Sequence, residues 1–327
     1  TGMQETTQAA VIAESLLKEV SKPYKIDQHI LETSPSIGIS IYPHDGPNVD
    51  ELMRNADIAM YHAKEQGRSN YHFFTESMLI TAHEKLKFEK ELRAALQKGQ
   101  LELHYQPQLH VAEKCISAVE ALIRWKHPER GFITPDNFIP LAEETGIIHE
   151  LGEWIFNEAC RQLAAWKKAG IDNLRMSINL SVKQLHSKDL VKIISTTLAN
   201  HNLSGSELEL EITETAAMNN PELAVQQLAS IRELGLGLAI DDFGTGYSSL
   251  AYLKRLPIQT LKLDKDFVRD IEHDQNDLEI STATIGLAHS LGLKIVAEGV
   301  ETEGQFEFLV AHQCDYLQGY LFSKPLP

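Results

Sequence analysis

The sequence has few cysteines and no long apolar run, and each shortage excludes a class of protein. Cys115, Cys160 and Cys314 are odd in number and far apart, without a C-x-x-C pair. They argue against a disulfide framework and a thiolate zinc site, and they indicate a reduced, intracellular protein. None of the histidines falls in an H-E-x-x-H pattern, and no stretch approaches the roughly 18 apolar residues of a membrane span. We therefore expect a cytoplasmic chain.

Basic residues are also scarce. Only 30 Lys and Arg stand against 46 Asp and Glu, which gives a net charge of −16 with His neutral. Such a surface repels a polyanion and argues against binding to a nucleic-acid polymer, so a phosphate-bearing substrate would need local cations or bound metal. With 43% hydrophobic and 23% charged residues, wholesale disorder is excluded. The 327 residues predict about two domains at roughly 150 residues each.

The first seventy-odd residues have the pattern of a small α+β unit. Apolar periodicity predicts a helix over 8–20, a strand over 37–41, a helix from Asn48 or Asp50 to Gln66, and a strand over 71–74. These elements are too few to cover both faces of a sheet, so we expect a piece of a domain over 1–75. An amphipathic helix over 76–98 is predicted to link it to the remainder.

From Leu101 onward, short apolar runs alternate with helical stretches. The runs are LELHYQPQL, ISAVEALIRW, LRMSINLS, ELELEITE, LGLAIDDFG, TLKLDKDFV, LKIVAEGV and DYLQGYLF. Alternating β and α elements predict a parallel sheet, and eight strands predict a closed, TIM-like (β/α)8 barrel over 99–327. Only a short polar link over 111–114 joins the first two runs, so we expect the first strand to be irregular and antiparallel.

In the second to eighth runs, candidate functional residues lie within the run or at its end. They are Glu120, Asn179, Glu211, Asp241 with Asp242, Lys262, Glu298 and Gln318. Most are spaced by one β-α repeat, so they are expected to converge at the mouth of the barrel. Several acids in one small volume require either protonation or a cation among them. Oxygen ligands with one amide suit Mg²⁺ or Mn²⁺, and adjacent aspartates suit a two-metal site for phosphoryl displacement.

The segment after the paired aspartates, 243–250, is rich in glycine and hydroxyl side chains and suits a gating loop. Glu214, three residues after Glu211, has two interpretations. It anchors this loop, which the spacing favours, or it adds another acid to the metal site.

With these motifs in place, the region from about Leu86 to Pro327 resembles the EAL-domain cyclic di-GMP phosphodiesterases. The matching blocks are EAL at 120–122, INLS at 178–181, ELEITE at 209–214, DDFGTGYSSL at 241–250, LKLD at 261–264, VAEGVE at 296–301 and QGY at 318–320. Their order and spacing make the resemblance specific. Gln259, where an acid is usual, and HQCD at 312–315, in place of Gly-Cys-Asp, depart from the family pattern without removing an implied metal ligand.

The resemblance implies hydrolysis of cyclic di-GMP to linear 5′-pGpG by in-line attack of water at two Mg²⁺ or Mn²⁺ ions, with Ca²⁺ inhibitory. The implied metal ligands are Glu120, Asn179, Glu211, Asp241, Asp242 and Glu298. Lys262 would position the water, and Glu298 is the candidate proton acceptor. The implied substrate contacts are Arg124, Gln318 and Gln106. Glu301 would support the ligands, and Glu214 would anchor the loop that contains Gly244, Thr245 and Gly246.

The N-terminal region resembles the C-terminal half of a GGDEF diguanylate cyclase domain, through SIGIS at 36–40, ADIAMYHAK at 56–64 and GRSN at 67–70. The GG(D/E)EF turn is absent, so we do not expect this chain to make cyclic di-GMP. We expect a piece of a longer bacterial GGDEF–EAL protein, whose upstream part can carry sensor or membrane domains. The resemblance also implies a homodimer formed through the barrel.

Two other classes of protein remain as alternatives. A receptor would use the barrel to bind cyclic di-GMP without cutting it, as is expected of family members that have lost metal ligands. All the implied ligands are present here, which favours an enzyme. A barrel glycosidase would use two carboxylates and would leave Asn179, Lys262 and the aspartate pair without a role.

Overall fold

The computed structural model describes residues 6–26, 29–244 and 250–327. It divides into two compact units, Thr1–Glu91 and Leu92–Pro327. In the described part of the chain, no helix combines the length and the apolar character needed to cross a membrane.

The first unit contains two small strand pairs and the helices that flank them. Its elements are α1 Thr6–Val20, β1 Tyr24–Ile26, β2 His29–Leu31, β3 Ile37–Ile39, α2 Val49–Glu65, β4 Tyr71–Phe73 and α3 Glu76–Lys98, which continues into the second unit. β1 and β2 pair antiparallel, whereas β3 and β4 pair parallel and pack against α2. Asn48, rather than Asp50, caps α2, because its side chain accepts a hydrogen bond from the amide of Glu51 at 2.9 Å.

Gly38 is required by the packing of β3 on α2. A Cβ at this position would overlap the carbonyl oxygen of Ala56. The antiparallel pair β1–β2 was not predicted, because strands of three residues are too short to show a period-two pattern.

The second unit alternates strands and helices. Its elements are β5 Leu101–His110, β6 Cys115–His127, β7 Gly131–Ile133, α4 Pro135–Thr145, α5 Ile148–Lys168, β8 Arg175–Asn179, α6 Val182–Leu185, α7 Leu190–His201, β9 Leu208–Thr213, α8 Glu214–Asn219, α9 Pro221–Glu233, β10 Gly237–Phe243, α10 Leu250–Leu253, β11 Thr260–Leu263, α11 Lys265–Arg269, α12 Gln275–Ser290, β12 Lys294–Ala297, α13 Glu303–Ala311 and β13 Tyr316–Leu317.

The strands close into a barrel in the order β5-β13-β12-β11-β10-β9-β8-β6, with β6 pairing back to β5. β5 runs antiparallel to both neighbours, whereas the other seven strands are parallel. The short β7 adds an antiparallel strand outside β6. The predicted eight-stranded barrel with an antiparallel first strand is confirmed.

A buried carboxylate lies two residues before Glu211 on β9, nearer the amino end of the barrel. Glu209 of β9 is 1% exposed and accepts a hydrogen bond from Thr260 Oγ1 at 2.9 Å. Arg175 Nη2 lies 3.3 Å from the same carboxylate and supplies the compensating charge. Parallel barrels keep their functional residues at the opposite, carboxyl end.

Candidate active site

Four acids that lie in or directly after different strands surround one lysine inside the carboxyl end of the barrel. Lys262 of β11 is 1% exposed. Its Nζ lies 2.5 Å from Glu211 Oε2, 2.5 Å from Glu298 Oε1, 3.1 Å from Asp241 Oδ1 and 3.7 Å from Glu120 Oε2. The structure thus brings together the polar strand ends that the sequence spacing had placed at one mouth, and the cation among the acids is a lysine ammonium.

The charges in this cluster do not balance. Burial lowers the pKa of Lys262, but the surrounding acids outweigh it and raise the pKa well above its usual value. Burial raises the pKa of Glu211, and it raises the pKa of Glu298 to about 8, against the opposing effect of Lys262. One ammonium cannot neutralise four carboxylates, so the cluster binds protons more readily, and a divalent cation would compete with these protons for the same oxygen atoms.

The two adjacent aspartates are presented by an irregular turn of the backbone. The pairing of β10 with β11 shifts register between Ile240 and Phe243, and Asp242 has a φ of 54°. Asp241 is buried and Asp242 is half-buried. Burial, the charge of Asp241 and a hydrogen bond with Asp264 raise the pKa of Asp242 to about 6. Asp264 was not among the predicted site residues, although it lies in the LKLD block.

Glu120 is held by two side-chain amides. Asn179 Nδ2 donates to its Oε1 at 2.7 Å, and Gln318 Nε2 donates to its Oε2 at 2.6 Å. Gln318 also donates to Gln106 Oε1 at 3.1 Å and accepts from Gln108 Nε2 at 2.9 Å. In this structure, Gln318 therefore contacts an acid of the site, and Gln106 contacts Gln318.

Gln108, which is fully buried, was not among the predicted site residues. It lies two residues after Gln106, so both side chains share one face of β5. A repeated glutamine on the inner face of a predicted barrel strand was the signal that could have identified it.

Arg124 and Glu301, which were predicted to contact the substrate and to support the metal ligands, lie outside the group of acids that contact Lys262. Arg124 shares a face of β6 with Glu120, is half-buried, and donates from Nη1 to the carbonyl oxygen of Ile123 at 2.9 Å. The side chain of Glu301 is exposed, and its amide donates to Gln305 Oε1 at 2.7 Å.

Glu214 contacts the start of the predicted gating loop. Its carboxylate is 2% exposed, and Oε2 accepts a hydrogen bond from the amide of Gly244 at 3.1 Å. Gly244 has a φ of 104°, and a Cβ there would come within 2.8 Å of the Phe267 ring. Thr245 and Gly246, the other loop residues of the prediction, lie outside the described residues.

The oxygen atoms of the cluster are suitable ligands for a divalent metal, although in this structure the carboxylates contact Lys262. In the described ranges, no three His, Cys, Asp or Glu side chains form a ready metal-binding group. Glu211 Oε1 is nevertheless buried without a hydrogen-bond partner, and the neighbouring donors are carboxylate and amide oxygens. Hard cations such as Mg²⁺ and Mn²⁺ prefer such donors, so these residues fit the metal once they release the Lys262 ammonium.

A cavity of about 360 Å³ leads away from the acids between helices α4, α5 and α6. Glu211, Asp241 and Asp242 line the cavity on the side of the acid cluster. Residues of α4, including Ile139 and Glu143, line it as well. The arrangement can therefore hold a ligand next to the acid cluster.

Comparison with known proteins identifies two families. The EAL domain model matches residues 89–325, and the model of the diguanylate cyclase GGDEF domain matches residues 1–70. The chain is 48% identical over 324 residues to the bifunctional diguanylate cyclase/cyclic di-GMP phosphodiesterase MucR of Pseudomonas aeruginosa, covering 99% of this chain and 47% of MucR. It is 45% identical over 320 residues to the cyclic di-GMP phosphodiesterase NbdA of the same organism, covering 98% of this chain and 41% of NbdA.

A solved structure shows the same architecture. The chain described as the PaMucR phosphodiesterase in complex with c-di-GMP superposes with a TM-score of 0.72 at 46% identity, covering 74% of this chain and 98% of that chain. This chain spans less than half the length of the two curated relatives.

Proposed function

The chain belongs to the EAL domain family, and on that basis we propose that its barrel hydrolyses cyclic di-GMP to linear 5′-pGpG. The observation that carries the proposal is the cluster of four acids around Lys262, which opens into a cavity of about 360 Å³. The names of MucR and NbdA, and the c-di-GMP complex of the similar structure, support this substrate.

Two Mg²⁺ or Mn²⁺ ions are proposed as cofactors. Glu120, Asn179, Glu211 and Asp241 would hold one ion, and Asp241, Asp242 and Glu298 the other. When bound, such ions lower the pKa of a coordinated water and stabilise charge on a phosphodiester. Asn179 suits this role because its Nδ2 already donates to Glu120, which leaves its oxygen available as a ligand.

The remaining steps fall to side chains of this chain. The water oxygen forms a bond to phosphorus while the bond from phosphorus to the 3′ oxygen breaks. The departing 3′ oxygen takes a proton from solvent, which leaves a 5′-phosphate and a 3′-hydroxyl. Glu298 accepts the proton of the water. Lys262, once its ammonium is released from the carboxylates, positions the attacking water. Arg124, on the Glu120 face of β6, pairs with the substrate phosphate.

The test is chromatography of cyclic di-GMP after incubation with the chain. We expect pGpG with Mg²⁺ or Mn²⁺ and intact substrate with a chelator or with Ca²⁺. Asp241→Asn should lower turnover at least 100-fold because it removes an acid that both metal positions share. Asp172→Asn is the matched control, since Asp172 is exposed and remote from the cluster. Intact cyclic di-GMP under every metal condition would contradict hydrolysis and favour a receptor.

Assembly and location are proposals of the same kind. We propose that two copies associate through the barrel, as the family resemblance implies, and that the chain acts in the bacterial cytoplasm. All three cysteines are free thiols, which accords with a reducing compartment.

A further inference from the structure

One wall of the cavity carries an acid that hydrolysis does not use. Glu143 of α4 lines the same cavity as Asp241 and Asp242. Among the described residues, no side chain forms a hydrogen bond or ion pair with its carboxylate, which is half-buried. A dianionic cyclic dinucleotide would be repelled by such a group unless the ligand presented hydrogen-bond donors to it.

The surroundings of Glu143 are apolar and suit a flat ring. Ile139 and Pro140 precede it by four and three residues, so all three side chains lie on one face of α4. Ile148 of α5 and Val182 of α6 line the cavity as well. The neighbouring Glu144 is exposed and does not line the cavity. Asp136 of α4 also lines the cavity and, within the residues that the structure describes, has no hydrogen-bond or ion-pair partner, but it is exposed, whereas Glu143 is half-buried. The cavity thus combines apolar walls with a half-buried, unpaired carboxylate beside the acid cluster.

A guanine base has the matching chemistry. Its Watson–Crick edge presents the adjacent donors N1–H and N2–H₂, and an ionised carboxylate offers two acceptor oxygens at a similar spacing. The base faces bury well against aliphatic and proline side chains. Adenine places an acceptor at N1 beside its N6–H₂ donor, so a carboxylate can pair with only half of that edge.

We propose that the Glu143 carboxylate binds the Watson–Crick edge of one guanine of the substrate and makes the site selective for guanine over adenine. This inference rests on the proposed function. It gives a role to a carboxylate that lines a cavity for an anionic ligand.

The test compares cyclic di-GMP with cyclic di-AMP as substrates of the full chain. Glu143→Gln keeps one acceptor but places an amide donor against the guanine donors. We expect kcat/KM for cyclic di-GMP to fall roughly 10- to 100-fold, mainly through KM, and the preference over cyclic di-AMP to shrink by at least the same factor. Glu144→Gln, the same change one residue along the helix, should leave both values unaltered.

A conservative variant separates recognition from folding. Glu143→Asp keeps a carboxylate, so it should weaken binding yet retain the preference for guanine. The inference would be overturned if Glu143→Gln left the ratio of kcat/KM for the two substrates unchanged. It would also be overturned if Glu143→Asp lost the preference for guanine to the same extent as Glu143→Gln. If the unaltered chain hydrolyses neither dinucleotide, the proposed function fails separately, and calorimetric affinities of the same variants for the two dinucleotides then decide the inference.

Discussion

Replacement of Lys262 by methionine tests whether its ammonium and the metals share the same oxygen atoms. Lys262 is 1% exposed and contacts four acids, so its removal leaves buried carboxylates facing one another. Breaking a buried ion pair in this way costs about 3–5 kcal/mol of the free energy of unfolding. At roughly 2–4 °C per kcal/mol for a domain of this size, the melting temperature in chelator should fall by about 6–20 °C.

Metal should restore much of this loss. A divalent ion at a hundred times its Kd adds about 2.7 kcal/mol to the folded state, and it meets no competing ammonium in the variant. We therefore expect Mn²⁺ to raise the melting temperature of Lys262→Met by more than it raises that of the unaltered chain, while kcat falls. The assay is thermal unfolding with chelator and with Mn²⁺, followed by turnover of cyclic di-GMP at a temperature where both proteins are folded.

The loss should also depend on pH. Burial already raises the pKa of Glu211, and that of Glu298 to about 8. Without the lysine, these folded-state pKa values rise further above the unfolded values. Stability is then retained below the unfolded pKa of about 4.3 for Glu and lost as pH rises toward the folded pKa. The deficit should be larger at pH 8 than at pH 5. A variant that melts in chelator like the unaltered chain at both pH values would refute the reasoning.

Two further predictions concern the support of Glu120 and the assembly. Gln108→Leu removes the donor to Gln318 Oε1, and because Gln318 holds Glu120, the affinity for Mn²⁺ measured by calorimetry should fall roughly 10- to 100-fold. An unaltered metal affinity with a lower melting temperature would limit Gln108 to packing. Light scattering should give twice the mass of one chain if two barrels associate, and a monomeric mass would contradict the proposed dimer.

Much of the fold followed from periodicity. Apolar runs at the spacing of β-α repeats predicted the eight strands, and the short link over 111–114 predicted the antiparallel first strand. These signals are local, because the alternation of a strand and the turn of a helix are set by neighbouring residues. The β1–β2 pair escaped prediction because its pairing depends on contact between two very short segments.

Within the site, the sequence identified most of the donors but not their partners. Spacing predicted that Glu120, Glu211, Asp241 and Lys262 share one mouth. It did not reveal that the ammonium lies among the carboxylates, nor that Gln108 supports Gln318. Side-chain direction along a strand is predictable, whereas contact between strands depends on the tilt and stagger of the closed barrel.

The sequence by itself determined the excess of acidic charge, the order of the elements and the set of oxygen donors, since these are properties of composition and local pattern. Only the tertiary structure decided which donors meet. Gln318 and Glu120 are 198 residues apart and become hydrogen-bonded because the last strand closes against the first. Barrel closure converts a series of separate strand ends into one electrostatically coupled cluster, and no local signal carries that information.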